Sequence, residues 1–260
     1  MRIFSFLILP LLAMLIYACS SGDGTPPVSY PEITTFKTAP SDRFIVDINT
    51  VVDGHNFIGE NANYPHPGMH VHFDNTSTEW PKGGSDPEHY PKIYAVADGR
   101  ISSIEPYYQV QANVRYGIQL DFAQADGQIL TFNYSIEPMI NPNDNGFYEA
   151  YINVSVGQTV SKGDVIAYMY LSNNPSLNDY PHIHFNIVKG AQTANSVNQV
   201  PAIFSNAVMN DYQSAMSIAN STQRNYDGNS VTGDFMGACA GYKISAKENP
   251  YNSGASPCLN

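Results

Sequence analysis

Seven residues, Pro181-His182-Ile183-His184-Phe185-Asn186-Ile187, constrain this chain more than any other stretch. In an extended strand successive side chains alternate between faces. His182 and His184 therefore share one face, while Ile183, Phe185 and Ile187 point the other way, into a core. Two imidazoles side by side on a strand begin a metal site. A second such stretch is His66-Pro67-Gly68-Met69-His70-Val71-His72-Phe73-Asp74, so five of the seven histidines lie in two short segments. The expectation is a fold that brings both segments around one divalent metal.

The chain has 260 residues, enough for one large domain or two small ones. An apolar fraction of 43% can supply a core. Lysine and arginine number 12 against 23 acids, giving a net charge of −11. That balance argues against nucleic-acid binding, which needs a basic face. It also argues against electrostatic docking on anionic lipid.

The N-terminus carries a targeting signal. Arg2 is followed by a run from Ile3 to Ala18 that is apolar apart from Ser5, then Cys19-Ser20-Ser21-Gly22. This is the layout of a signal peptide, too short for a comfortable membrane span. Ile16-Tyr17-Ala18-Cys19 resembles the bacterial lipobox, with Tyr17 where a small residue is usual. The resemblance implies cleavage after residue 18 and a lipid on Cys19. The mature protein is then an exported lipoprotein, periplasmic or at the cell surface, held to the membrane only by its lipid. In such a compartment the two remaining cysteines, Cys239 and Cys258, are most simply a disulfide. It closes a loop of about 20 residues, worth roughly 3 kcal/mol on a loop-entropy model.

Residues 1–18 thus read as a signal peptide, and 19–40, polar with Pro26-Pro27 and Pro31, as a flexible tether. Residues 41–190 read as a β domain. Arg43 to Ile48 alternates, and the segments around His55 and His89 are loop-like. Asp98-Gly99 and Asp126-Gly127, each between apolar runs, signal hairpin turns. Gly157 and Gly163 punctuate short β-segments and serve backbone geometry. Tyrosines 107, 108, 148, 151, 168 and 170 either line a groove or pack between strands. Asp121 and Glu137 are acids that could reach a cleft, and the sequence alone does not place them in one. No long helical period precedes residue 200, so the domain is expected to be all-β and mainly antiparallel. Residues 191–260 form a C-terminal extension with one short helix between Pro201 and Thr222.

The order of these pieces resembles the lysostaphin/LytM-type zinc endopeptidases. His66-x-Gly68-x-His70 stands where that family has His-x-Gly-x-Asp. Ile93 to Ile101 resembles its strand–turn–strand, and Tyr116 to Asp121 resembles its "GYG-x-x-V" strand. Val156-Gly157-Gln158-Thr159-Val160-Ser161-Lys162-Gly163-Asp164-Val165-Ile166 matches "VGQ-x-V-x-KG-x-x-I", and Pro181 to Ile187 resembles "H-x-H-F-E". The resemblance covers about residues 60–190 and implies a duplicated-hybrid-motif, barrel-sandwich-like β fold. It implies one zinc ion held by His66, His70 and His184, with His182 beside the scissile carbonyl and attacking water. Three imidazoles leave one coordination position for water. His72 and Asp74 share a face with His70, so either is an alternative to His66. The family's "Y-x-H" histidine has no counterpart. Tyr134 falls in its place, where its hydroxyl is expected to hold the oxyanion.

Three functions follow as expectations. The first is an exported zinc endopeptidase acting on peptidoglycan or related short peptides. The second is a degenerate member of the same fold that binds cell-wall peptide or a partner without cleavage. The third, a biotinyl- or lipoyl-type carrier domain, shares the spaced Val/Gly pattern but needs a lysine at a hairpin tip. Asp98-Gly99-Arg100 offers none.

Overall fold

The structure is a computed structural model. It describes residues 28–55, 60–61, 64–65, 69–73, 80, 83, 86–110, 113–138, 146–171, 181–190, 197–198, 203–205, 207–208, 211–212 and 214. Cys19, His66, Asp74, Cys239 and Cys258 lie outside the described residues, and with them the expected lipidation site, one expected metal ligand and the expected disulfide.

The fold is mainly antiparallel β, as expected. In chain order the strands are β1 (Val51–His55), β2 (Glu60–Asn61), β3 (Tyr64–Pro65), β4 (Met69–Phe73), β5 (Lys92–Tyr94), β6 (Gly99–Val110), β7 (Asn113–Ala125), β8 (Gln128–Glu137), β9 (Thr159–Val160), β10 (Val165–Tyr168), β11 (His182–Lys189) and β12 (Val197–Asn198). Among the described residues one sheet runs β1-β4-β11-β8-β7-β6-β9, with β12 also paired to β11. β5 and β10 form a separate antiparallel pair, as do β2 and β3.

Period-two alternation builds this sheet. In β8, Leu130, Phe132, Tyr134 and Ile136 are apolar and buried. Phe132 stacks on Phe185 of β11 with ring centres 6.0 Å apart. Val71 and Phe73 of β4 and Ile183, Phe185 and Ile187 of β11 are all buried on this side. Each such side chain, fully buried, contributes about 1.5–3 kcal/mol.

Turn chemistry explains one expected hairpin and corrects the other. Asp126 and Gly127 both take positive φ, 52° and 71°, and join β7 to β8. That is the twist a two-residue hairpin needs. Asp98-Gly99 joins no hairpin: β5 pairs with β10, and β6 pairs with β7 and β9. Asp98 instead accepts a hydrogen bond from the Lys162 backbone at 2.7 Å. Gly99 is needed for close approach, since a Cβ there would collide with the Asp121 carbonyl and come within 2.8 Å of Leu120 Cδ1. Gly157 and Gly163 sit at φ 88° and 93° in the turns flanking β9, in keeping with a backbone role.

Both ends of the described chain pack on the domain. From Pro31 the stretch read as a tether lies against β7: the Gln124 amide donates to the Pro31 carbonyl, and Phe36 meets Phe122 edge-on at 5.6 Å. Ala207, Val208, Asp211, Tyr212 and Ser214 have helical backbone, where the short helix is expected. Val208 and Tyr212, one turn apart, are buried, and Tyr212 packs on Phe44 at 4.8 Å.

Tyr134 is not where the resemblance puts it. It shares the core face with Phe132 and Ile136 and is fully buried. Its hydroxyl donates to the Tyr94 carbonyl at 3.0 Å and accepts from the Val96 amide at 3.1 Å. Burial pushes its ionisation far above the ordinary tyrosine range. It is a structural pin between β8 and the exit of β5, and holds no oxyanion.

Two stability outcomes follow, each read by urea denaturation. Gly99→Ala is expected to cost about 1–3 kcal/mol, because backbone must move to admit the methyl group. Tyr134→Phe is expected to cost about 1–3 kcal/mol, because it leaves the Val96 amide and Tyr94 carbonyl without this partner. The second variant should bind metal as the parent does.

Candidate metal centre

β4 and β11 run antiparallel in a register that sets His70 opposite His184 and His72 opposite His182. Because side chains alternate, one register decides all four. Their imidazoles gather on the face opposite Ile183 and Phe185. The ring centres of His70 and His184 are 4.4 Å apart; those of His70 and His182, and of His72 and His182, are each 5.1 Å apart. His70 and His72 are 1% and 2% exposed, and His182 is 6% exposed.

β8 and β1 extend the two rungs. Ser135 lies opposite His184 and Glu137 opposite His182. On the other side His55 lies opposite His70, and Asp53 opposite His72. His55 therefore belongs to a strand, although its sequence surroundings are loop-like. His89 stays in a 3-10 turn, exposed, with Nδ1 3.3 Å from Asp86.

Glu137 and Arg115 are the functional candidates that the sequence least singled out. Glu137 Oε2 is 3.5 Å from His182 Nε2. Its Oε1 is 3.0 Å from Arg115 Nη1 and accepts from Ser135 Oγ at 3.2 Å. Burial works against ionisation of Glu137. The opposing hydrogen bond and charge of His182, with the charges of Arg115 and His184, outweigh it and hold the carboxyl down at about 2. The signal for Glu137 was present: Thr131, Asn133, Ser135 and Glu137 alternate with the apolar residues of the same strand. Arg115 gave no comparable sign. Asp121 does not join the site. It accepts from Ser102 at 2.8 Å and Thr131 at 2.6 Å, at the register level of Val188. Tyr148, Tyr151 and Tyr170 are buried; Tyr151 and Tyr170 pack on Tyr90 and on each other.

His70 also has its strand held from below. Tyr212 Oη donates to the His70 carbonyl at 2.9 Å. The imidazole thus projects from a backbone fixed on its core side.

The donor set fits a zinc-type ion in part. Two imidazoles on one tetrahedral ion, with bonds of about 2.0–2.1 Å, hold their ring centres about 5 Å apart. The His70–His184 spacing is of that order. Among the described residues, however, no group of three or more His, Cys, Asp or Glu side chains stands in an arrangement that could hold a metal ion. Two facing histidines supply at most half the donors of a four-coordinate site.

No family model matches the chain, and no curated protein matches its sequence. Among solved structures, it is similar to lysostaphin as determined in solution by NMR, at 17% identity and a TM-score of 0.35, over 72% of this chain. The chain spans 57% of the length of that protein. An overlap of this size carries no weight for function.

Proposed function

We propose that this protein is an exported zinc-dependent endopeptidase-like hydrolase acting on peptidoglycan or related short peptides. The observation that carries this reading is the facing His70–His184 pair, with ring centres 4.4 Å apart on a buried polar face. His66, four residues before His70, would complete three imidazole ligands. A zinc ion in such a set supplies a Lewis acid and lowers the pKa of bound water toward neutrality.

The chain's own residues divide the remaining work. His70 and His184 hold their donors at fixed spacing because both sit mid-strand on paired backbones. His182, next to both on the same face, stands where it can bind the scissile carbonyl or the attacking water. The buried neighbours limit competing bulk water and strengthen local electrostatics. Hydrolysis consumes one water, breaks the amide C–N bond and delivers a proton to the leaving amine.

Binding without cleavage is the second reading. It is favoured by one observation: Tyr134, which falls in the place of the family's "Y-x-H" histidine, sits in the core. Both readings share the metal, and turnover separates them.

Metal content of the full mature chain is the first test. About one zinc per chain is expected, lost in His184→Ala and in His70→Ala, with the fold checked by circular dichroism. His66→Ala should weaken zinc by more than the ~10–100-fold that an outer partner contributes. A chain that takes up no zinc when zinc is supplied overturns the proposal. With zinc bound, release of soluble fragments from purified peptidoglycan supports the hydrolase; tight binding with no release supports the second reading.

A further inference from the structure

We infer that Glu137 is a positioning residue that sets the tautomer of His182, with the ring proton on Nε2 and Nδ1 as the acceptor nitrogen. This deepens the reading above and rests on it for its link to hydrolysis. The structural part stands on contacts alone.

Four described side chains form the device. His182 Nε2 faces Glu137 Oε2 at 3.5 Å, the outer limit of a hydrogen bond and a common length in ligand-free sites. The carboxylate is fixed from behind. Arg115 Nη1 holds Oε1 at 3.0 Å, and Ser135 Oγ donates to the same oxygen at 3.2 Å. Arg115 Nη1 also reaches Ser135 Oγ at 3.4 Å, closing a small ring of contacts. The Arg115 and Glu137 side chains are 15% and 6% exposed, and His182 is 7%. Oε2 is the carboxylate oxygen turned to the imidazole. An ionised carboxylate only accepts, so the nitrogen facing it must carry a proton. In a neutral imidazole the other nitrogen is then an acceptor.

The strand ladder explains why these groups meet. Glu137 is the register partner of His182, and Ser135 is the register partner of His184. The same rungs that place the proposed metal ligands place the carboxylate beside His182, which is not assigned to the metal. A histidine held by a carboxylate in this way can take a proton from water and return it to a leaving amine. That role differs from a fixed hydrogen-bond donor, and it falls to a residue pair with no part in holding the ion.

The test uses the full mature chain, zinc-loaded and zinc-free, with long-range proton–nitrogen correlation spectra of the histidine rings. In the unaltered protein His182 Nε2 should be protonated; an unprotonated Nε2 overturns the inference without any variant. In Glu137→Gln the His182 nitrogen shifts should move toward a mixed tautomer, with those of His70 and His184 unmoved. Unchanged His182 shifts overturn the inference. On peptidoglycan fragments the same variant should lose about 10–100-fold in kcat with KM and zinc content little changed, the scale of losing an orienting partner. A fall in zinc content equal to the fall in kcat overturns it in favour of a purely structural role. If the unaltered protein holds zinc yet cleaves nothing, the hydrolase reading fails, while the ring spectra still decide the tautomer.

Discussion

The register between β4 and β11 is the constraint on which the rest depends. It is held by apolar packing on one face, where Val71 and Ile183 are partners and Phe185 stacks on Phe132. Because the period is two, burying those side chains forces four imidazoles together on the other face. A slip of one residue would exchange the faces, burying histidines in the core and exposing Ile183 and Phe185. The hydrophobic effect thus fixes a polar constellation that has little cohesion of its own.

Such a constellation is costly to keep. Buried polar groups require partners, and buried charges require both partners and good geometry. The answer here is a graded one. Arg115, Glu137 and Ser135 satisfy one another, and Glu137 turns its second oxygen to His182. The charged pair lies on the two strands beyond β11, Glu137 on β8 and Arg115 on β7. A site of this kind departs from what stability alone would select, and such departures concentrate where chemistry or binding occurs.

Segments distant in sequence brace the sheet. Phe44 contacts Phe185, Phe204 and Tyr212, bringing the start of the domain, the central strand and the C-terminal extension into one aromatic group. The Ser41 amide donates to the Ile203 carbonyl, and the Ser205 amide to the Ser41 carbonyl. Through Tyr212 this group reaches the backbone of His70. The extension is therefore tied to the site, and at Phe204, Val208 and Tyr212 it is part of the same core.

Much of this was legible in the sequence, because strand alternation and positive-φ turns are local properties. The histidine pairs, the β class, the Asp126-Gly127 hairpin and the turn glycines at 157 and 163 all follow from neighbours one to four residues apart. Alternation within β8 sets Tyr134 on the core face with Leu130, Phe132 and Ile136, where the family resemblance implies a site residue. What only the tertiary structure decided is which strands pair: β5 with β10 instead of β6, His55 opposite His70, Arg115 beside Glu137, Tyr212 beneath His70. Pairing depends on burying apolar faces contributed by segments far apart in the chain, and the contact between Tyr212 and His70 spans 142 positions. A single strand's pattern says which side chains share a face, and the choice of partner belongs to the whole core.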